Sequence, residues 1–220
     1  MRLRARFPTA GLVLALASAL PLAAQARECQ FDLGRGWPPA VGNYGGAVET
    51  LFNNGRVPML SVITLPTRGE ESGVALVPGA DGRAWTIRAS RADSRVYHWN
   101  SSTRGGGVEL RTDQEPKLYQ AQIPAPLAQR LLRTWQAALE GVVPAERTAP
   151  VLEGEVMSFE VDGQRYSGTR PDCGPGKLIL QQAALLAEAA DTKEKKLERR
   201  WEDLSESLDE LQTLLDGKAG

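Results

Sequence analysis

Histidine and cysteine are almost missing from this chain: its 220 residues include one histidine, His98, and two cysteines, Cys29 and Cys173. That count excludes a histidine-rich metal centre and a zinc site of four thiolates. A Ser-His-Asp hydrolase would have to use His98, since no other imidazole exists. Charge of one sign is missing too. Lys and Arg total 26 against 27 Asp and Glu, a formal net charge of −1, so nothing in the balance favours nucleic acid as a partner. The motifs of common chemistries are absent: no G-x-S-x-G elbow, no P-loop, no H-E-x-x-H, no paired C-x-x-C, no S-x-x-K. No catalytic residue is assigned, and no metal or cofactor is expected. What is present, 42% hydrophobic and 24% charged residues, is enough to build a core and excludes a wholly disordered or collagen-like chain.

The N-terminal segment carries the clearest pattern. Arg2, Arg4 and Arg6 precede an apolar run over 10–20, and Ala24-Gln25-Ala26 follows as a small-x-small cleavage signature. This predicts a secretory signal peptide over 1–26, a mature chain from Arg27, and a periplasmic location in a bacterial envelope. The run has about half the ~20 residues of a spanning helix, so no transmembrane anchor is expected. Without the three arginines, 23 basic residues face 27 acidic ones and the mature chain is mildly acidic. In an oxidising compartment Cys29 and Cys173 are expected to form a disulfide.

The mature chain reads as an α+β domain over 27–176. Residues 29–46, rich in Gly and Pro, read as loop, and a short helix is expected over 47–53. Strands are predicted at 57–64, 73–77, 85–90, 95–99, 108–111 and 118–123. The pattern is clearest at 85–90, where Trp85, Ile87 and Ala89 alternate with Thr86, Arg88 and Ser90, so one face is apolar and the other wet. Short separations imply an antiparallel meander. Pro126 opens a helix over 126–140 whose Leu127, Leu131, Trp135, Ala138 and Leu139 share one face. A hairpin over 156–169 turns at Asp162-Gly163. The expected class is a two-layer antiparallel sheet with one face covered by helices.

From 177 to 216 no proline or glycine interrupts the chain, which reads as one long helix, with a disordered end at 217–220. Forty helical residues extend roughly 60 Å, more than a domain of this size is wide, so the distal half must protrude or fold back. From 193 the pattern is coiled-coil-like: Leu197, Trp201, Leu204, Leu208, Leu211 and Leu215 recur at spacings of four and three. Basic residues dominate 193–200 and acidic ones 201–216. An antiparallel homodimer, or docking to an envelope protein through this helix, is the expected assembly.

Other candidate residues are few. Glu70 and Glu71 offer a carboxylate pair, Arg170 and Asp172 flank Cys173, and Trp37, Tyr44, Trp85, Tyr97 and Trp99 have the chemistry to line a glycan or peptide groove. The function expected is that of an exported non-enzymatic envelope protein that binds or scaffolds a partner. The alternative is a hydrolase or transferase acting on an envelope polymer through carboxylate, Ser or Tyr residues.

Overall fold

Seven strands pair in one antiparallel sheet, and period-two alternation of apolar and polar residues marks the longer ones. In the computed structural model residue 29 and residues 32–79, 82–101, 106–151 and 154–217 are described. The expected signal peptide, its cleavage site and the chain end from 218 lie outside the described residues. The sheet contains β1 (Leu33–Arg35), β2 (Leu60–Leu65), β3 (Ser72–Pro78), β4 (Trp85–Arg91), β7 (Lys117–Ile123), β8 (Val156–Val161) and β9 (Gln164–Gly168) in the order β1-β9-β8-β2-β3-β4-β7. Two further strands, β5 (Tyr97–Asn100) and β6 (Gly107–Leu110), pair as a separate hairpin inserted between β4 and β7. The meander is β2-β3-β4-β7. A helix then carries the chain back across the sheet, so that β8 pairs with β2 on the other side. The β8–β9 turn has Asp162 and Gly163 both at positive φ (49° and 72°), the conformation a two-residue hairpin loop requires.

One face is covered by three helices: α2 (Ala125–Val142), α3 (Gly174–Ala190) and α4 (Leu197–Asp216). The class is α+β, with a long helix at the C-terminal end. Beneath the helices Leu60, Leu76, Ile87 and Phe159 from the sheet meet Leu131, Trp135, Ile179 and Leu186, all fully buried. At the centre of the layer Trp135 Nε1 donates to Gln182 Oε1 at 2.5 Å, and the Gln182 amide donates to the Ser207 carbonyl at 2.9 Å. One glutamine thus joins α2, α3 and α4, and its buried polar atoms are satisfied.

The run from 177 to 216 is not a single helix. Of the two courses its length allowed, protrusion and folding back, the chain takes the second. The first helix ends at Ala190. Lys193 is extended, a 3-10 turn covers Glu194–Lys196, and α4 returns along α3. The heptad seam therefore closes within the chain. Leu204, Leu208 and Leu211 are buried against the core shared with α2 and α3, and Leu197, Trp201 and Leu215 pack at its margin. Burying three leucines is worth about 1.5–3 kcal/mol each, which outweighs the loss of a few helical hydrogen bonds at the break. Thr192 closes the turn by donating from its hydroxyl to the Glu188 carbonyl at 2.7 Å.

The second face has its own, smaller layer. Helix α1 (Gly42–Asn53) lies across it with Tyr44, Val48 and Phe52 turned inward, and the base of the β5–β6 hairpin packs beside them through Val96, Tyr97 and Leu110. The helix starts five residues earlier than propensity predicts, despite Gly45 and Gly46. A Cβ on Gly45 would stand 2.6 Å from the Trp37 indole, so the ring's seat on the helix requires glycine. The segment read as loop also contains β1. Its Gly34 is obligatory, because a Cβ there would lie 2.0 Å from the Thr148 carbonyl oxygen of the adjoining segment. The Cys29–Cys173 disulfide, with Cα atoms 5.8 Å apart, ties the chain before β1 to the start of α3.

Candidate functional site under helix α1

Alternation along each strand gives the sheet two unlike faces. Under α2–α4, one row across the strands reads Tyr119, Ala89, Val74, Val62, Phe159, Tyr166. On the α1 side the neighbouring row reads Gln120, Arg88, Ala75, Ser61, Glu160, Arg165. This second face was expected to be wet, and α1 instead buries much of it. Ser61, Arg88, Ser90, Ser158 and Ser167 are all buried there.

Arg88 is the unusual member. Only 6% of it is exposed, and it sits in the middle of β4. Its Nη1 donates to the Asn53 carbonyl at 3.1 Å, at the C-terminal end of α1. Its Nε has no partner, and no carboxylate among the described residues lies within ion-pair distance. Burial, with repulsion from Arg56 added, pulls its pKa below the ordinary guanidinium value. A buried cation without a counter-charge costs several kcal/mol, which is why such groups are ordinarily paired.

Arg88 lines a cleft of about 880 Å³ between α1, β4 and the segment that leads into β7. Asn43, Thr50 and Asn54 line it from the helix side, Ser90 from the floor, and Thr112, Gln114, Glu115 and Leu118 from the far wall. Most of the polar side chains that line the cleft with Arg88 are therefore neutral. The one acid, Glu115, is exposed at the rim.

A charged cluster lies farther along the same face. Arg165 donates from Nη2 to both Glu49 of α1 and Glu160 of β8, and its guanidinium lies 5.0 Å from the centre of the Trp37 ring. Burial pushes the Glu49 carboxyl up to about 7, against the downward pull of Arg165, and the neighbouring Glu160 adds to the rise. Neither carboxylate lines the cleft.

The residues singled out from sequence are dispersed. Glu70 and Glu71 diverge: Glu70 is half-buried and pairs with Arg91 at 2.8 Å, which lowers its pKa, whereas Glu71 is fully buried. The Glu71 carboxylate accepts from the Val96 and Tyr97 backbone N–H groups at 2.8 and 3.2 Å and from the Tyr44 hydroxyl. It anchors α1 to the base of the hairpin, so the two candidate carboxylates have separate partners. His98 lies on β5 opposite Glu109. Arg170 reaches Glu155 at 3.9 Å, and Asp172 is exposed. The five aromatics form no common groove. Trp85 belongs to the helix-covered core and Trp99 is exposed on the hairpin, while Tyr44 of α1 meets Tyr97 with ring centres 5.1 Å apart and planes tilted by 60°.

Sequence reasoning missed Arg88, Glu49, Glu160 and Arg165. The one local signal was an arginine in the middle of a strand rather than at its end, on a face that alternation marks as polar. Among the described residues no helix is long and apolar enough to cross a membrane, and no cluster of three or more His, Cys, Asp or Glu is placed to hold a metal. Compared with protein-family models, curated proteins and solved structures, the chain matches none of them.

Proposed function

We propose that this chain is an exported, non-enzymatic binding protein of the bacterial envelope, and that it holds an anionic partner in the cleft under α1. The observation that carries this reading is Arg88, a buried guanidinium with no acidic partner facing the cleft. A ligand carboxylate or phosphate would supply the missing charge through a planar, two-pronged hydrogen bond. Export is supported by the N-terminal pattern and by the Cys29–Cys173 bond, because disulfides persist in oxidising compartments. The C-terminal helix is not the binding element in this reading, since its leucine seam is used within the chain.

Thermal unfolding of the oxidised protein in succinate or inorganic phosphate tests it. Either anion should raise the Tm of the wild type in proportion to its concentration, and Arg88→Gln should remove the response. No change in the wild type with either anion would refute the reading. A carboxylate-based hydrolase has one observation in its favour, the closeness of Glu49 and Glu160 with the Glu49 pKa up at about 7. Both carboxylates are tied to one guanidinium and largely buried, so this remains the weaker assignment.

A further inference from the structure

The two edges of the sheet are finished differently. At the β1 edge, the Arg35 N–H donates to the Arg147 carbonyl at 2.7 Å and the Ala149 N–H to the Arg35 carbonyl at 2.9 Å, so a neighbouring segment seals it. At the other edge, β7 pairs with β4 over all seven of its residues, and no other backbone partner of these residues occurs among the described ones. Natural edge strands are protected by proline, bulges, inward charges or a covering segment. Within β7 there is no proline and no break in register, and its one charge is Lys117 at the first position.

The side chains along this edge are open on both faces. Leu118 is 44% exposed and lines the cleft under α1; Tyr119 is 45% exposed and lines a second cleft, of about 320 Å³, on the α3 side. Arg88 is directly opposite Gln120, one strand in from the edge. Two strand spacings, about 10 Å, separate the Arg88 backbone from a strand added beyond β7, a gap that an arginine and an acidic group span from opposite sides.

We propose that an extended peptide adds to β7 as an eighth strand and sets a carboxylate against Arg88; this rests on the anion-binding reading of the cleft. The backbone of β7 supplies hydrogen bonds, Leu118 and Tyr119 meet alternate peptide side chains, and Arg88 selects for negative charge. A second copy of the chain is the poorer occupant. Its own β7 contains no acidic residue, so pairing edge to edge would leave Arg88 without a counter-charge. The cleft is also larger than a small anion fills, and is of a size suited to a chain.

The test is to pan the oxidised full-length protein against a randomised library of ten-residue peptides with free C-termini, then resynthesise an enriched peptide in variant forms. One form has a C-terminal amide, one has Asn and Gln in place of its Asp and Glu, and one has alternate backbone nitrogens methylated. The first two distinguish a terminal carboxylate from a side-chain one. One of them should bind about tenfold or more weakly, as expected for loss of a charged hydrogen bond, and Arg88→Gln should erase that difference. Binding should slow hydrogen exchange at alternate amides of 117–123, and the methylated form should neither bind nor protect. Peptides that bind without protecting 117–123, or without regard to their carboxylates, would overturn strand addition. Enrichment of no peptide, with succinate or phosphate still acting through Arg88, would overturn the peptide and leave the anion cleft standing. Failure of peptides and anions alike would remove both. Protection of 117–123 that grows with protein concentration alone would identify a second copy as the occupant and so refute this assignment.

Discussion

The two faces of the sheet come from the same strands, read at alternate residues, and they are built for different ends. On the helix-covered face, aliphatic and aromatic side chains meet three helices, the Gln182 amide and the Trp135 indole satisfy each other, and the buried atoms without a partner are neutral ones, Trp85 Nε1 and the Tyr166 hydroxyl. On the α1 face, serines and arginines are buried beneath a single twelve-residue helix. The Nε atoms of Arg88 and Arg165 and the hydroxyl of Ser167 lack partners there. The first arrangement holds the fold together, because apolar area removed from water is its main source of stability. The second costs more, because the buried atoms without partners there include guanidinium nitrogens, and it is the face with the cleft that Arg88 lines.

This contrast makes substitutions on the two faces differ in size and even in sign. The largest effect belongs to the helix-covered face. Trp135→Ala leaves a cavity where α2, α3 and α4 meet and removes the partner of Gln182, so urea denaturation should show a loss of about 3–5 kcal/mol. Leu208→Ala should cost about 2–5 kcal/mol, with the same loss at every protein concentration, because its seam closes within one chain. A loss that shrinks as concentration rises would mean that the seam joins two chains instead.

Arg88→Met should reverse the sign. Replacing a buried, unpaired charge with an apolar side chain of similar length should raise stability by about 1 kcal/mol or more, while abolishing the response to anions. Destabilisation of the anion-free protein by this variant would show that Arg88 is a structural group and break the contrast between the faces.

The smallest effect concerns pH. The Glu49 pKa is raised in the fold from its ordinary 4.5 to about 7, so between those values the folded state binds more protons than the unfolded state. Its contribution is fully present below the unfolded pKa and is lost as pH rises through the folded one. The stability difference between wild type and Glu49→Gln should therefore change between about pH 5 and pH 8, with the wild type losing ground as the pH rises. A difference that stays constant over that window would show that Arg165 holds Glu49 ionised throughout.

Much of the architecture was legible in local pattern. The alternation at Trp85, Ile87 and Ala89 marks β4, the spacing of Leu131, Trp135 and Ala138 marks α2, and Asp162-Gly163 marks the β8–β9 turn. The disulfide followed from compartment and from the presence of only two cysteines. Strand β1 was not legible, since three residues with a central glycine carry no periodicity and β1 exists by pairing with β9 and lying beside Thr148. The early start of α1 depends on the distant ring of Trp37. Least legible was the candidate site. Alternation placed Arg88 beside Thr86 and Ser90 on a polar face, and nothing in the strand says that a helix 35 residues earlier covers it.

By itself the sequence determined which residues share a face: the leucines of α4, the apolar row of each strand, and the polar row behind it. This follows from covalent geometry, since side chains repeat every two residues in a strand and every 3.6 in a helix whatever surrounds them. Only the tertiary structure decided what each face meets. The leucine seam meets α2 and α3 of its own chain because the turn at 191–196 brings α4 back along α3. The polar row meets α1 because the Tyr44–Val48–Phe52 stripe finds an apolar seat beside it, formed by Ile63, Leu65 and Val156. The partner of a face is a long-range contact, chosen by the free energy of the whole packed chain, and no local period encodes it.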